Sequence, residues 1–333
     1  MKNKKSEYQI KSLIEEASNC VIIPHKNPDG DALGSCLALN HFLLNKGLNS
    51  IVVSPNDYPN FLKWMPGENE ILNFENDPSK GMVKIENADL IFTLDFNDLS
   101  RSGNMCDYIK MSSAKKIMID HHERPKDYAF IKLSHPKIGS TCEIIYNLIN
   151  YIDSDAISSN IASCLYTGIM TDTGSFRFPS TTANTHYIIA KLIEKGANNS
   201  EIHQKIYDTF SYNRLKLLGI AIKNIVKVNS APYVIITLNQ NELDECSFKK
   251  GDTEGFVNYG LSIKGIDLSV ILIESEEDNI IKMSFRSKGD FPINIFAEKH
   301  FNGGGHHNAA GGVSKETLIE TKNRLINLLK SYS

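Results

Sequence analysis

Seven residues from His25 to Asp31 carry one imidazole and two carboxylates, inside the stretch VIIPHKNPDGDALGS at 21–35. These are metal-ligand side chains, and Pro28 and Gly30, interleaved with the acids, favour a fixed turn. The competing reading makes Asp29 and Asp31 ordinary turn formers, with Asp31 near a helix N-cap. Two further apolar runs end in the same kind of group, ADLIFTLD on Asp95 and KKIMID on Asp120-His121-His122. A backbone carbonyl accounts for one buried imidazole, but not for two adjacent ones directly after an acid at a strand end. Asp172 stands where the apolar periodicity of AISSNIASCLYTGIMTDTGSF gives way to Thr, Gly and Ser, and its plain reading is a solvated acid at a helix end. Together Asp29, Asp31, Asp95 and Asp172 would balance two divalent ions, to which His25 and His121 add one nitrogen each. Oxygen-rich ligation with a minority of imidazole favours Mn²⁺ over Mg²⁺, and the lack of thiolates excludes structural zinc. Two such ions about 3.5 to 4 Å apart clamp a bridging hydroxide for in-line attack on phosphorus, the chemistry of phosphoester hydrolysis.

Positioning these groups takes a parallel sheet. Val21–Ile23, residues 88–95 and residues 115–120 read as buried parallel strands, whose carboxyl ends share one edge in an open α/β fold. Between them LGSCLALNHFLL is helical from near Asp31, and SIVVS at 50–54 is a further strand after a Lys46-Gly47 stop. Residues 7–19 read as an amphipathic helix, the proline-rich stretch around Trp64 as a loop over the sheet, and Ser140 with Glu143 as a capping box. From Val226 the pattern changes to hairpin-like strands, followed by LSVILIES, NIIKMSFRSK and a closing amphipathic helix. The division is a catalytic domain over 1–200, a helical connector over 201–225 and a smaller α/β domain over 226–333.

In the second part, Ser284, Arg286 and Lys288 alternate onto one strand face. NGGGHHNAAGG at 302–312 holds five glycines and two alanines, a loop whose backbone could approach a ligand closely and offer N–H groups to phosphate. It lacks the GK[ST] of a P-loop, and glycine-rich runs are more often simple flexible loops. Arg286 supplies a guanidinium suited to bidentate phosphate contact.

Composition bounds the partners. With 41% hydrophobic and 23% charged residues the 333-residue chain is globular, and no apolar run is long enough for a membrane span. The polar start MKNKKSEYQIKSLIEE has no signal-peptide core, and six scattered cysteines without a CxxC pair fit a reducing, cytoplasmic setting. A net charge of −3 and no basic stripe argue against a long duplex nucleic-acid partner.

HKNPDGDALGS, LDFND, DHH at 120–122, TGIMTDTGSF and GGGHHNAAGG, in that order, resemble the motifs of the DHH phosphoesterase family with its DHH-associated C-terminal domain. Within the family the wording is most similar to bifunctional oligoribonucleases and 3′-phosphoadenosine-5′-phosphate phosphatases. The resemblance implies two divalent ions, Mn²⁺ with Mg²⁺ or Co²⁺ as alternatives. It puts His25, Asp29 and Asp95 on one ion and Asp31, Asp95, His121 and Asp172 on the other. It places His122 beside the scissile phosphate, makes Asp120 a support that orients an imidazole rather than a ligand, and puts Arg286, Gly304, Gly305 and His306 at the substrate. The implied substrates are short RNAs and small nucleotides, cleaved to mononucleotides or, for the bisphosphate, to AMP. Turnover of cyclic or linear dinucleotides, a non-catalytic nucleotide sensor, and a homodimer stay open.

Overall fold

The computed structural model describes residues 2–228 and 231–330, which fall into two compact units, 1–209 and 210–333. The first unit runs α1 (Lys2–Glu16), β1 (Asn19–Ile23), α2 (Gly30–Asn45), β2 (Asn49–Ser54), β3 (Leu72–Asn73), α3 (Pro78–Glu86), β4 (Leu90–Leu94), α4 (Cys106–Met111), β5 (Lys115–Asp120), β6 (Ile131–Ser134), α5 (Thr141–Asp153), α6 (Ser159–Asp172), α7 (Ala183–Glu194) and α8 (Asn199–Tyr207). Its six strands are all parallel in the order β3-β2-β1-β4-β5-β6. Strand order reverses between β1 and β4, and such a switch point leaves a crevice at the carboxyl ends of the two strands.

Both faces of this sheet are covered, which is why its strands read as unbroken apolar runs. Cys20, Ile22, Phe92 and Ile119 face a core shared with α2, α5 and α6, while Val21, Ile23, Ile91 and Phe96 face a second core with α3 and α4. Helix α2 is buried almost all round, from Gly30 to Leu43. It lies against α6 at glycine level: a Cβ on Gly34 would meet the Cys164 carbonyl, and one on Gly168 would meet Cys142 Sγ and Asp31. This close approach sets Asp31, in the first turn of α2, beside the C-terminal end of α6, where Asp172 is the last residue. Ser140 caps α5 by accepting from the Glu143 N–H, but the box is half made. The Glu143 carboxylate instead accepts from Thr185 Oγ1 (3.0 Å), tying α5 to α7.

The second unit comprises α9 (Tyr212–Lys223), β7 (Val226–Lys227), β8 (Tyr233–Leu238), α10 (Gln240–Glu245), α11 (Phe256–Leu261), β9 (Leu268–Ser275), β10 (Ile280–Ser287), α12 (Ile293–Phe301), β11 (Gly304–His306), β12 (Ala309–Ser314) and α13 (Leu318–Lys330). The residues expected to form a connector are shared out, α8 packing in the first unit and α9 in the second. The sheet order is β11-β12-β10-β9-β8-β7, antiparallel except for β8 against β9. One face packs on α12 and α13 through Tyr233, Val270, Phe285, Phe296 and Leu325. On the other, the buried apolar residues come from β8 and β9, so the β10 face carrying Lys282, Ser284 and Arg286 keeps partial exposure.

The candidate metal centre

Three adjacent strands, β1, β4 and β5, deliver the polar groups. Beyond β1 the chain turns through Pro24 and His25 to Asp29, which is the N-cap of α2: its Oδ1 accepts the N–H groups of Asp31 and Ala32, both at 3.0 Å. The cap reading and the ligand reading of Asp29 are therefore compatible, because its second oxygen lies 3.8 Å from His25 Nε2. Sequence placed the cap near Asp31, two residues too late. Asp31 is instead buried, and the N-terminus of α5 grips it, Thr141 N–H donating to Oδ2 (2.6 Å) and Cys142 N–H to Oδ1 (2.9 Å). Orphan amides at a helix N-terminus suit a carboxylate held away from water.

Asp95, directly after β4, is the shared member. Its Oδ2 lies 3.6 Å from His25 Nε2 and its Oδ1 3.4 Å from His121 Nε2, with Thr141 Oγ1 donating to Oδ1 at 2.9 Å. His121 Nε2 is also 3.9 Å from Asp31 and 3.5 Å from Asp172. Two ligand groups result, His25-Asp29-Asp95 and Asp31-Asp95-His121, with Asp172 at the edge of the second. Beside them His122 Nδ1 lies 2.7 Å from Asp120 Oδ1, while Asp120 Oδ2 is buried without a hydrogen-bond partner. Asp95 takes φ +65° and Asn27 φ +55°, left-handed backbone of roughly 1–3 kcal/mol strain each that persists only where the surroundings over-determine it.

The donor chemistry suits divalent cations. His25 Nδ1 meets the Lys26 carbonyl (2.9 Å) and His121 Nδ1 that of Ile138 (3.2 Å). A carbonyl only accepts, so each Nδ1 carries the proton and each Nε2 turns its lone pair toward carboxylate oxygens. The carboxylates and imidazoles therefore bias one another's protons. Burial by itself would lower His25, but Asp29 and Asp95 overcome it and push the imidazole up to about 10. His121, likewise opposed by burial, is raised well above its usual value by Asp95 and Asp172. Burial would raise Asp95, yet His121 and His25 hold it well below the carboxylate range. Burial, then repulsion from Asp95 and Asp172, drives Asp31 well up. These directions mark a cluster in which added positive charge is favoured, charge that divalent cations would supply to every group at once.

Two contributors escape a reading of residue types. Thr141 binds both Asp31 and Asp95, an alcohol that sequence assigned only to a helix start. Asn56, past the end of β2, braces the ligand loop: its Oδ1 accepts the Asn27 N–H (2.7 Å) and its Nδ2 donates to Asn27 Oδ1 (2.8 Å). Extending the strand-end argument to β2 would have nominated it.

In the second unit the glycine-rich run departs from expectation. It is a hairpin rather than a loop, with Gly304, Gly305 and His306 of β11 paired to Gly311, Ala310 and Ala309 of β12. A Cβ on Gly303 would fall on the Gly311 carbonyl and one on Gly305 on that of Ala309, so these glycines serve strand approach. The Gly303 N–H is taken by the Ala297 carbonyl. Gly304 differs, having open space where a Cβ would project. Arg286 pairs with Ala309, which pairs with His306, so both side chains share one sheet face. Arg286 Nη1 donates to the Phe285 carbonyl at 2.9 Å.

Fold and site together define a two-unit α/β protein with a carboxylate–imidazole centre suited to divalent cations. A family model described as the DHH family, N-terminal domain, matches residues 19–169, and one described as the DHHA1 domain matches residues 230–332. NrnA of Thermus thermophilus, a bifunctional oligoribonuclease and PAP phosphatase, is 30% identical over 295 residues, 88% of this chain and 83% of that protein. The crystal structure of an exopolyphosphatase-related protein from Bacteroides fragilis is similar with a TM-score of 0.95 and 40% identity, over 99% of this chain and 96% of that one. The cyclic-di-AMP phosphodiesterase GdpP of Bacillus subtilis is 27% identical over 98% of this chain but only 49% of its own length. The chain belongs to the DHH family and is a phosphoesterase.

Proposed function

We propose that this enzyme hydrolyses oligoribonucleotides of two to a few residues to mononucleotides, and 3′-phosphoadenosine-5′-phosphate to AMP. The observation that carries the reading is Asp95, whose two oxygens face two different imidazoles, each with its own carboxylates. His25, Asp29 and Asp95 would hold one divalent ion, and Asp31, Asp95, His121 and Asp172 a second, with Mn²⁺ favoured by the two nitrogens. Ions bound there would act as Lewis acids on a phosphoryl group and make water acidic enough to attack it.

The chain's own residues supply the rest. Asp120 accepts the proton of His122 Nδ1, which leaves Nε2 to face the phosphate, where in the doubly protonated imidazolium its N–H would donate to the oxygens as charge builds on the leaving group. Thr141 and the α5 amides hold Asp95 and Asp31 in place before substrate arrives. Arg286, Gly304, Gly305 and His306 are assigned to the substrate, supported by the shared sheet face and the open flank of Gly304. Similarity to the Thermus NrnA over most of both chains supports the substrate class. We place the enzyme in the cytoplasm: all six cysteines are unpaired, and no described helix is long and apolar enough to cross a membrane.

Similarity to GdpP over 98% of this chain supports a second reading, cleavage of a cyclic dinucleotide. Parallel rate measurements with Mn²⁺ on a labelled linear dinucleotide, 3′-phosphoadenosine-5′-phosphate and cyclic di-AMP decide between the two. Mononucleotide and AMP release supports the first, and faster turnover of cyclic di-AMP replaces it with the second. Tight retention of a dinucleotide without product would instead mean a nucleotide sensor.

A further inference from the structure

Immediately after Asp172 the chain makes a turn in left-handed backbone. Gly174, Ser175 and Phe176 follow one another with φ of +57°, +60° and +66°, two of them non-glycine. Consecutive left-handed residues are rare and persist only under strong restraint. The restraints are present. Ser175 N–H donates to the Met170 carbonyl (2.8 Å), Phe176 N–H to Thr173 Oγ1 (3.1 Å), and Ser175 Oγ bonds His203 Nε2 on α8 (2.9 Å). The Phe176 ring is held between Tyr166 and His186, with centroids at 6.0 and 5.8 Å.

What this turn presents is Arg177. Its N–H donates to the Thr173 carbonyl (3.0 Å) and its Nε to the Gly174 carbonyl (2.8 Å), so backbone and guanidinium are both fixed to the turn. The residue is exposed, and among the described residues no carboxylate pairs with it. The side chain that follows, Phe178, packs its ring on Gly174. An ordinary surface arginine is mobile, whereas this one has its fork oriented in advance by the Nε bond, leaving two terminal nitrogens to bind an anion in plane. The turn hangs from the same helix end that supplies Asp172.

We propose that Arg177 binds a second phosphate of the substrate, one that is not hydrolysed, and thereby selects nucleotides carrying a terminal 5′-phosphate. This rests on reading the centre as a nucleotide phosphoesterase. The buried carboxylates and imidazoles would engage the scissile phosphate, and an exposed guanidinium fixed on the turn that continues from the Asp172 helix end would meet a neighbouring phosphate of a 5′-phosphorylated dinucleotide or of 3′-phosphoadenosine-5′-phosphate.

The test compares pApA with ApA, and 3′-phosphoadenosine-5′-phosphate with 3′-AMP, for the natural protein and for Arg177→Gln, whose amide can still donate to Gly174. Wild type should prefer the 5′-phosphorylated member of each pair. In R177Q, kcat/KM for those members should fall about 10- to 100-fold through KM, with the others within about twofold. Absence of a wild-type preference, an equal fall for both members, or a preference retained in R177Q would each overturn the proposal. Should the protein hydrolyse none of the four, the functional reading fails separately, and equilibrium binding of AMP decides this one. Weaker AMP binding by R177Q with adenosine binding unaltered supports the contact, and equal AMP affinity overturns it.

Discussion

The two sheets of this protein use their polar residues in opposite places. The parallel sheet of the first unit is apolar on both faces and keeps its chemistry at the strand ends, where β1, β4 and β5 stop together and hand over to strained loops. The mixed sheet of the second unit keeps its polar row on a face, Arg286 and His306 in register across β10, β12 and β11. A strand-end cluster brings carboxylates within 4 Å of one another's imidazole partners at a high electrostatic penalty that cations relieve. A sheet face spaces its side chains by strand separation and suits an extended anion instead. The difference implies that removing a residue from the first region should cost metal, and from the second, substrate affinity.

The sharpest break of that contrast is Asp95→Ala. It should abolish turnover and lower bound metal measured by elemental analysis, well beyond the about 10- to 100-fold loss expected of Asp120→Asn, which only orients His122. Equal residual rates in the two variants would remove the shared role of Asp95. Next, Arg286→Ala should raise KM about 10- to 100-fold with metal content unchanged, since every assigned ligand lies in the first unit. Metal lost from that variant would end the division of labour. A smaller effect separates the ions: Mn²⁺ should support faster turnover than Mg²⁺ at equal concentration, and strict Mg²⁺ preference would contradict the weight given to His25 and His121. Smallest of all, urea unfolding should find Gly303→Ala destabilised by about 1–3 kcal/mol, with Gly304→Ala within about 0.5 kcal/mol. Similar losses at both would mean that Gly304 also serves strand packing.

Residue type and period alone were enough for much of the first unit, and the reasons are local. A strand buried on both faces has to be a continuous apolar run, so β1, β4 and β5 and the groups at their ends could be located within a residue or two. The alternation that put Ser284 and Arg286 on one face of β10 is equally a property of consecutive residues. Other features depend on partners far away in the chain. That Glu143 turns from its own helix to Thr185, and that Thr141 meets Asp31 across 110 positions, follow from how α2, α5 and α7 pack. Gly303 and Gly305 have the composition of a flexible loop, and only the approach of β12 makes them strand residues.

By itself, then, the order of residues determined which side chains could bind metal and phosphate, and that three strands would carry them to one edge. Tertiary structure decided which oxygen of Asp95 faces which imidazole, which protons His25 and His121 hold, and that the turn after Asp172 would be strained enough to aim Arg177. The physical reason is range: hydrophobic period and strand polarity are written in neighbouring residues, whereas an electrostatic cluster and a strained turn exist only once distant backbones hold them in place.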